Sequence, residues 1–135
     1  MLKTLQLKAS IENYAQLSEW WHDIAASWKL SQTLTNKIDI CLEEIYVNIA
    51  SYAYEGSTGI ANISADKDEN DIIIKFEDSG MEYNPLQRED PDITLSLEER
   101  PIGGLGIFMV KEMSKEIEYK REDNKNILIL KFGED

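Results

Sequence analysis

Ile72-Ile73-Ile74-Lys75-Phe76-Glu77-Asp78-Ser79-Gly80 is the stretch on which the reading of this chain turns. A strand sends successive side chains to opposite faces. One face then carries Ile72, Ile74 and Phe76, and the other Ile73, Lys75 and Glu77. The same period puts Asp78 on the apolar face, at its end. A carboxylate there needs donors, because burying an unpaired charge is costly. Two readings are open. Asp78 is either a turn aspartate satisfied by the backbone amides of Ser79-Gly80, or an acceptor for a ligand amino group.

Outward from this strand, Ile60 to Ala65 reads as its hairpin partner across a polar turn at Asp66 to Asp71. The stretch from Ser79 to Ile102 carries prolines and the acidic run Arg88-Glu89-Asp90-Pro91-Asp92, with no sustained period. It is too long for an ordinary connection and reads as a functional or disordered loop. Gly103 to about Ser114 follows as a helix with a glycine-rich start. Ile117–Arg121 and Asn126–Phe132 form a closing hairpin. Toward the N-terminus, Leu2 to Lys8 alternates as a first strand. Ser10 stands as the N-cap of a helix from Ile11 to about Lys29, and a second helix runs from Ser31 to about Tyr54. Helices segregated from hairpins predict an α+β fold: a two-layer sandwich with helices on one face of a mixed, mostly antiparallel sheet.

The chain has 135 residues, which suits a single domain over 1–135. With 42% hydrophobic residues it has enough apolar material for a core. Its 26 acidic residues outweigh 14 basic ones, giving a net charge of −12. That charge argues against nucleic acid and against an anionic membrane surface as partners. An anionic ligand would need backbone amides, a metal ion or a few placed cations. The single cysteine, Cys41, forms no internal disulfide and fits a reducing compartment. The N-terminus lacks the apolar run of a signal peptide, and nothing approaches the roughly 18 apolar residues of a membrane span. A cytoplasmic protein is expected.

Two further places break their local pattern. Glu44 and Asn48 lie four apart on the second helix and share a face, with Tyr52 four beyond. The plain reading is a solvated helix shoulder. The functional one is a carboxylate and a carboxamide aimed at a metal-bound phosphate, with hard oxygen ligands for Mg²⁺ and a proton acceptor. Gly103-Gly104-Leu105-Gly106 opens the third helix. Glycines let a backbone approach a ligand, and a helix N-terminus offers free amides and partial positive charge, which suits phosphate. No Gly-Lys-Ser/Thr follows, and no strand immediately precedes the glycines, so neither the Walker nor the dinucleotide pattern fits.

Glu44 with Asn48 on a helix, Asp78-Ser79-Gly80 ending a strand, a long loop, and Gly104-Leu105-Gly106 opening a helix together resemble the GHKL superfamily of ATP-binding domains. Within it the chain is most similar to the small bacterial anti-sigma factor serine/threonine kinases, over nearly its whole length. The resemblance implies ATP and Mg²⁺ as cofactors. It implies Asn48 as the Mg²⁺ ligand, Glu44 as general base and Asp78 as acceptor for the adenine amino group. Gly80 belongs to the first glycine box, Gly103, Gly104, Leu105 and Gly106 surround the phosphates, and the loop from about Asn84 to Ile102 is the ATP lid. It further implies an anti-sigma-factor antagonist as protein substrate, a sigma factor as a second partner, and a homodimer. The chain departs from the superfamily at Glu82, where longer-lidded relatives carry glycine, and at Tyr52, where many anti-sigma kinases carry histidine. The rival expectations are a simple ATPase and a nucleotide-binding interaction module. His22, the lone histidine, is expected on the surface away from the site.

Overall fold

The alternation that marks the Ile72 stretch is realised in β3, Asp71–Asp78. Ile72, Ile74, Phe76 and Asp78 are buried, and the intervening residues are half-buried. The computed structural model describes residues 2–54, 59–87 and 104–133. In chain order these hold β1 (Lys3–Lys8), α1 (Tyr14–Ser27), α2 (Gln32–Asn48), β2 (Ile60–Asp68), β3, α3 (Gly104–Met113), β4 (Glu116–Glu122) and β5 (Lys125–Gly133). The strands form one sheet in the order β1-β2-β3-β5-β4. All four neighbouring pairs are antiparallel, so the sheet is uniform rather than mixed.

The three helices share a core with one face of this sheet. Leu17, Trp21 and Ile24 of α1 and Leu34, Ile38, Leu42 and Ile45 of α2 join the same buried cluster as Ile63, Ile72, Ile74, Phe76 and Leu130. Each such side chain contributes about 1.5–3 kcal/mol when fully buried. α3 packs against α2. Polar ties fix the helices laterally. Trp21 donates its indole N–H to the Thr35 carbonyl at 3.0 Å, and Tyr14 donates its hydroxyl to the Asp39 carboxylate. Burial pushes the Cys41 thiol up to about 12, so it remains a neutral core residue.

Element ends differ from the sequence expectation in informative ways. Ser10 makes no side-chain cap; a 3₁₀ turn at Ile11–Asn13 leads into α1 instead. Its carbonyl, with that of Lys8, faces the Tyr46 hydroxyl at 2.8 and 3.0 Å. Ser31 does cap α2, accepting from the Leu34 amide at 3.1 Å. The expected turn at Asp66–Asp71 shrinks to Glu69-Asn70, because Asp66, Lys67 and Asp68 stay paired with β3. The β4–β5 turn uses Asp123 and Asn124 at φ of 50° and 63°, the positive values that a tight right-twisting hairpin requires.

The second helix is not α-helical to its end. After Asn48 it widens into a π-helical turn over Ile49–Ala53. The wider turn takes Tyr52 out of the straight row with Glu44 and Asn48. Tyr52 is 45% exposed, and its ring centroid lies 6.3 Å from that of Tyr83.

The Tyr46 hydroxyl is the polar link between α2 and the end of β1. Tyr46→Phe leaves two carbonyls without it and should cost about 1–2 kcal/mol, read as a lower urea midpoint at unchanged slope. An unchanged midpoint would show that this link does not anchor α2.

Candidate functional site

A cleft lies between α2 with its π-turn, the end of β3, and the beginning of β5. Ile45, Asn48, Phe76, Asp78, Tyr83 and Asn126 are among its lining residues, and it holds about 450 Å³ of empty space, part of it open to solvent. The walls are mostly apolar and the polar groups few, as in small-molecule sites generally.

Asp78 reaches the cleft because β3 keeps its period to the last residue. It is 5% exposed. Its Oδ1 accepts from the Gly80 amide at 2.9 Å and from Asn126 Nδ2 at 2.9 Å. Among the described residues, every hydrogen bond that Asp78 accepts falls on Oδ1. Oδ2 is left as an acceptor on the wall of the cleft. The turn-aspartate and ligand-acceptor readings are therefore compatible, one for each oxygen. Burial raises the Asp78 pKa above its ordinary value, and the bonds from Asn126 and Gly80 and the charge of Arg121 offset part of that shift.

Gly80 is required by a close approach. A Cβ there would stand 2.2 Å from the Ala53 carbonyl oxygen, the atom that accepts from the Met81 amide at 2.9 Å. The chain leaving β3 is thus laid directly on the end of the π-turn. Arg121 donates to the Gly80 carbonyl at 2.8 Å and holds the same segment from the other side.

Glu44 and Asn48 are half-buried, which is not the solvated shoulder of the plain reading. Asn48 Nδ2 lies 3.5 Å from Glu44 Oε1, and Asn48 lines the cleft. A Cβ on Gly106 would fall 2.0 Å from the Glu44 carboxyl carbon. Glycine at this position lets the first turn of α3 rest against the Glu44 carboxylate. Gly104 and Leu105 belong to that same first turn. Gly103 lies outside the described residues, as does most of the stretch expected as a lid. His22 sits on α1 with Nδ1 2.8 Å from the Ser18 carbonyl, and is not among the cleft residues.

Asn126, Tyr119 and Arg121 escaped the sequence reading. Asn126 pairs directly with Asp78 across β3–β5 and shares the buried face of Leu128, Leu130 and Phe132. The signal that singled out Asp78, a polar residue in phase with an apolar face, is present in β5 as well.

The residues fit a purine nucleotide. Asp78, a buried residue with an acceptor oxygen to spare, lines a mostly apolar slot, and the Tyr83 hydroxyl is buried with no partner among the described residues. For a divalent cation the donor set is spare. Among the described residues no group of three or more His, Cys, Asp or Glu could hold a metal ion. A Mg²⁺ here would take one or two protein oxygens and complete its shell with phosphate and water, which is how Mg²⁺ commonly binds beside nucleotides.

The fold and cleft define a nucleotide-binding α+β domain of the ATPase type. A family model described as a histidine kinase-like ATPase domain matches residues 7–132, and the chain belongs to this family, within the GHKL superfamily. It is similar to the serine/threonine-protein kinase BtrW of Bordetella bronchiseptica, at 25% identity over 94% of this chain and 90% of that one. It is similar also to the serine-protein kinase RsbW of Bacillus thuringiensis, at 27% identity over 69% of this chain and 61% of the relative. Among solved structures, the histidine kinase AdeS of Acinetobacter baumannii shares the fold. Its TM-score is 0.51 at 17% identity, over 98% of this chain and 69% of that one. No helix among the described residues is long and apolar enough to cross a membrane.

The raised pKa of Asp78 has a consequence for the ligand-free protein. Stability tied to the neutral carboxyl is full below the ordinary value near 3.8 and is lost as pH rises through the raised value. Asp78→Asn keeps an oxygen to accept from Gly80 and Asn126 and removes the buried charge. Its thermal midpoint at pH 7 should exceed that of the wild type, with the gap closing below pH 4. A wild type equal to or more stable than the variant at pH 7 contradicts the burial cost.

Proposed function

We propose that this chain is an ATP- and Mg²⁺-dependent serine/threonine protein kinase of the anti-sigma type. It phosphorylates a small anti-sigma-factor antagonist and in a second state sequesters a sigma factor. The observation that carries the reading is that Asn48 and Asp78 line one cleft, while Glu44 lies beside Asn48 and the first turn of α3 stands against the Glu44 carboxylate. Membership of the ATPase family and likeness to proteins named serine/threonine-protein kinase and serine-protein kinase support it. Residues 1–135 would act as one domain, in the cytoplasm, as a homodimer.

In this reading Asp78 accepts from the adenine amino group, and the apolar walls of Ile45, Phe76 and Leu128 hold the ring. The free amides of the first turn of α3 would meet the phosphates. Asn48 would hold Mg²⁺, which would supply charge neutralisation for phosphoryl transfer when bound. Glu44 is the proton acceptor for a serine or threonine hydroxyl. Its carboxylate stands against the first turn of α3, whose amides would hold the phosphates. A nucleotide-binding interaction module with little or no phosphotransfer is the second reading, supported by Tyr52 where many anti-sigma kinases carry histidine and opposed by the presence of Glu44; a simple ATPase, with Glu44 activating water, is the third.

Glu44→Gln should leave nucleotide binding in place and reduce phosphotransfer by about 10²–10⁴-fold, since only the proton acceptor is lost. Labelled ATP with a candidate antagonist checks this. Label on the antagonist supports the kinase, and free phosphate alone supports the ATPase. A wild-type rate in Glu44→Gln at saturating ATP eliminates Glu44 as base. Glu43, exposed on another side of α2, should be nearly silent as Gln.

Two further changes test the binding roles by calorimetric titration. Asn48→Ala should abolish the Mg²⁺-dependent part of ATP affinity in a protein that still folds. Asp78→Asn turns the cleft-facing acceptor into a donor and should weaken ATP by about 1.5–3 kcal/mol while narrowing its advantage over GTP. Unchanged affinities in either variant refute the corresponding assignment.

A further inference from the structure

Asn126 is buried, 7% exposed, and its side-chain amide is saturated. Nδ2 donates to Asp78 Oδ1 at 2.9 Å and to the Met81 carbonyl at 2.8 Å. Oδ1 accepts from the Tyr83 amide at 3.2 Å and from the Tyr119 hydroxyl at 2.6 Å. A primary amide has two donor hydrogens and two acceptor lone pairs, so these hydrogen bonds use all of it. They also fix its orientation. A flipped amide would set oxygen against the Asp78 carboxylate and the Met81 carbonyl, and nitrogen against the Tyr83 N–H.

We propose that Asn126 is the positioning residue for purine recognition. This rests on the nucleotide-binding reading above and adds to it the group that sets base selectivity. Asn126 has no hydrogen-bonding capacity left for a ligand, so it acts through Asp78. The two oxygens of a carboxylate are chemically equivalent, and selectivity requires that one of them stay turned toward the cleft. The Gly80 amide and Asn126 Nδ2 both bind Oδ1, and together they hold Oδ2 on the ligand side. The same amide grips Met81 and Tyr83, the segment that carries the chain away from Gly80. One side chain therefore joins the base acceptor to the start of the long loop expected to cover the nucleotide. Tyr119 in turn steadies Asn126 from β4.

The readout is the ratio of ATP to inosine triphosphate affinity, since the inosine base replaces the 6-amino donor by an oxygen. Calorimetry should show the wild type preferring ATP. Asn126→Ala should cut that preference by about tenfold while changing inosine triphosphate affinity by less than about threefold, because the weakened hydrogen bond is one that only the amino group makes. In an Asp78→Asn background the same change should move the ratio by less than about twofold, the sign of two residues acting through one hydrogen bond. An unchanged ratio in Asn126→Ala, or an equal loss of both nucleotides, overturns the proposal. If circular dichroism shows Asn126→Ala unfolded, Asn126→Asp decides by the same criteria. It preserves shape and the acceptor for Tyr83 and Tyr119, and replaces the donors to Asp78 and Met81 by a carboxylate oxygen. A wild type that binds neither nucleotide overturns the nucleotide reading itself. Binding with intact preference in the variants overturns the role of Asn126 alone.

Discussion

A carboxylate held at the end of an apolar strand face is the constraint around which the rest of the site is arranged. Asp78 is in phase with Ile72, Ile74 and Phe76, so the rule that builds the core also draws a charge to its edge. The charge is tolerated because donors converge on one oxygen: the Gly80 amide from its own turn and Asn126 from the neighbouring strand. Arg121 adds a favourable field and grips the Gly80 carbonyl. Burial still raises the pKa, so the arrangement costs stability in the free protein.

The second constraint is close approach at two glycines, to backbone at Gly80 and to a carboxylate at Gly106. Gly80 lays the chain leaving β3 onto the carbonyl of Ala53, the last residue of the π-turn. Gly106 sets the first turn of α3 against the Glu44 carboxylate. These two close approaches bring three segments distant in sequence to one cleft: the end of α2, the end of β3 and the start of α3. The π-turn belongs to the same device. Widening the helix after Asn48 moves Tyr52 out to pair with Tyr83 and leaves Asn48 facing the cleft.

The cleft has mostly apolar walls, with Asp78 and Asn126 among its polar groups. Asn48 also lines it, with the Glu44 carboxylate and the first turn of α3 close by. In a chain of net charge −12, anionic groups are best met by backbone amides and a bound cation rather than by a cluster of basic side chains.

The period of two in Ile72–Asp78, the period of the helices, and the glycines before Ile107 were enough to establish the layers and the element order and to single out Asp78 and the start of α3 as places that break a plain core pattern. Those patterns express burial of a face, which is local along the chain. Asn126 carries the same signature in β5, but its meaning depends on pairing with Asp78 across 48 positions of sequence. The failure of Ser10 to cap, the shortening of the Glu69-Asn70 turn and the widening at Ile49–Ala53 also lay beyond local reading. Each is settled by partners elsewhere: Tyr46 near Ser10, β3 across from Asp66–Asp68, and the backbone at Gly80–Met81 against Ala53. The sequence by itself determined which faces are buried and which residues violate them. Tertiary structure decided which oxygen of Asp78 is left open and what stands beside Glu44, because hydrogen bonds and close approaches between distant segments exist only once the sheet and helices have packed.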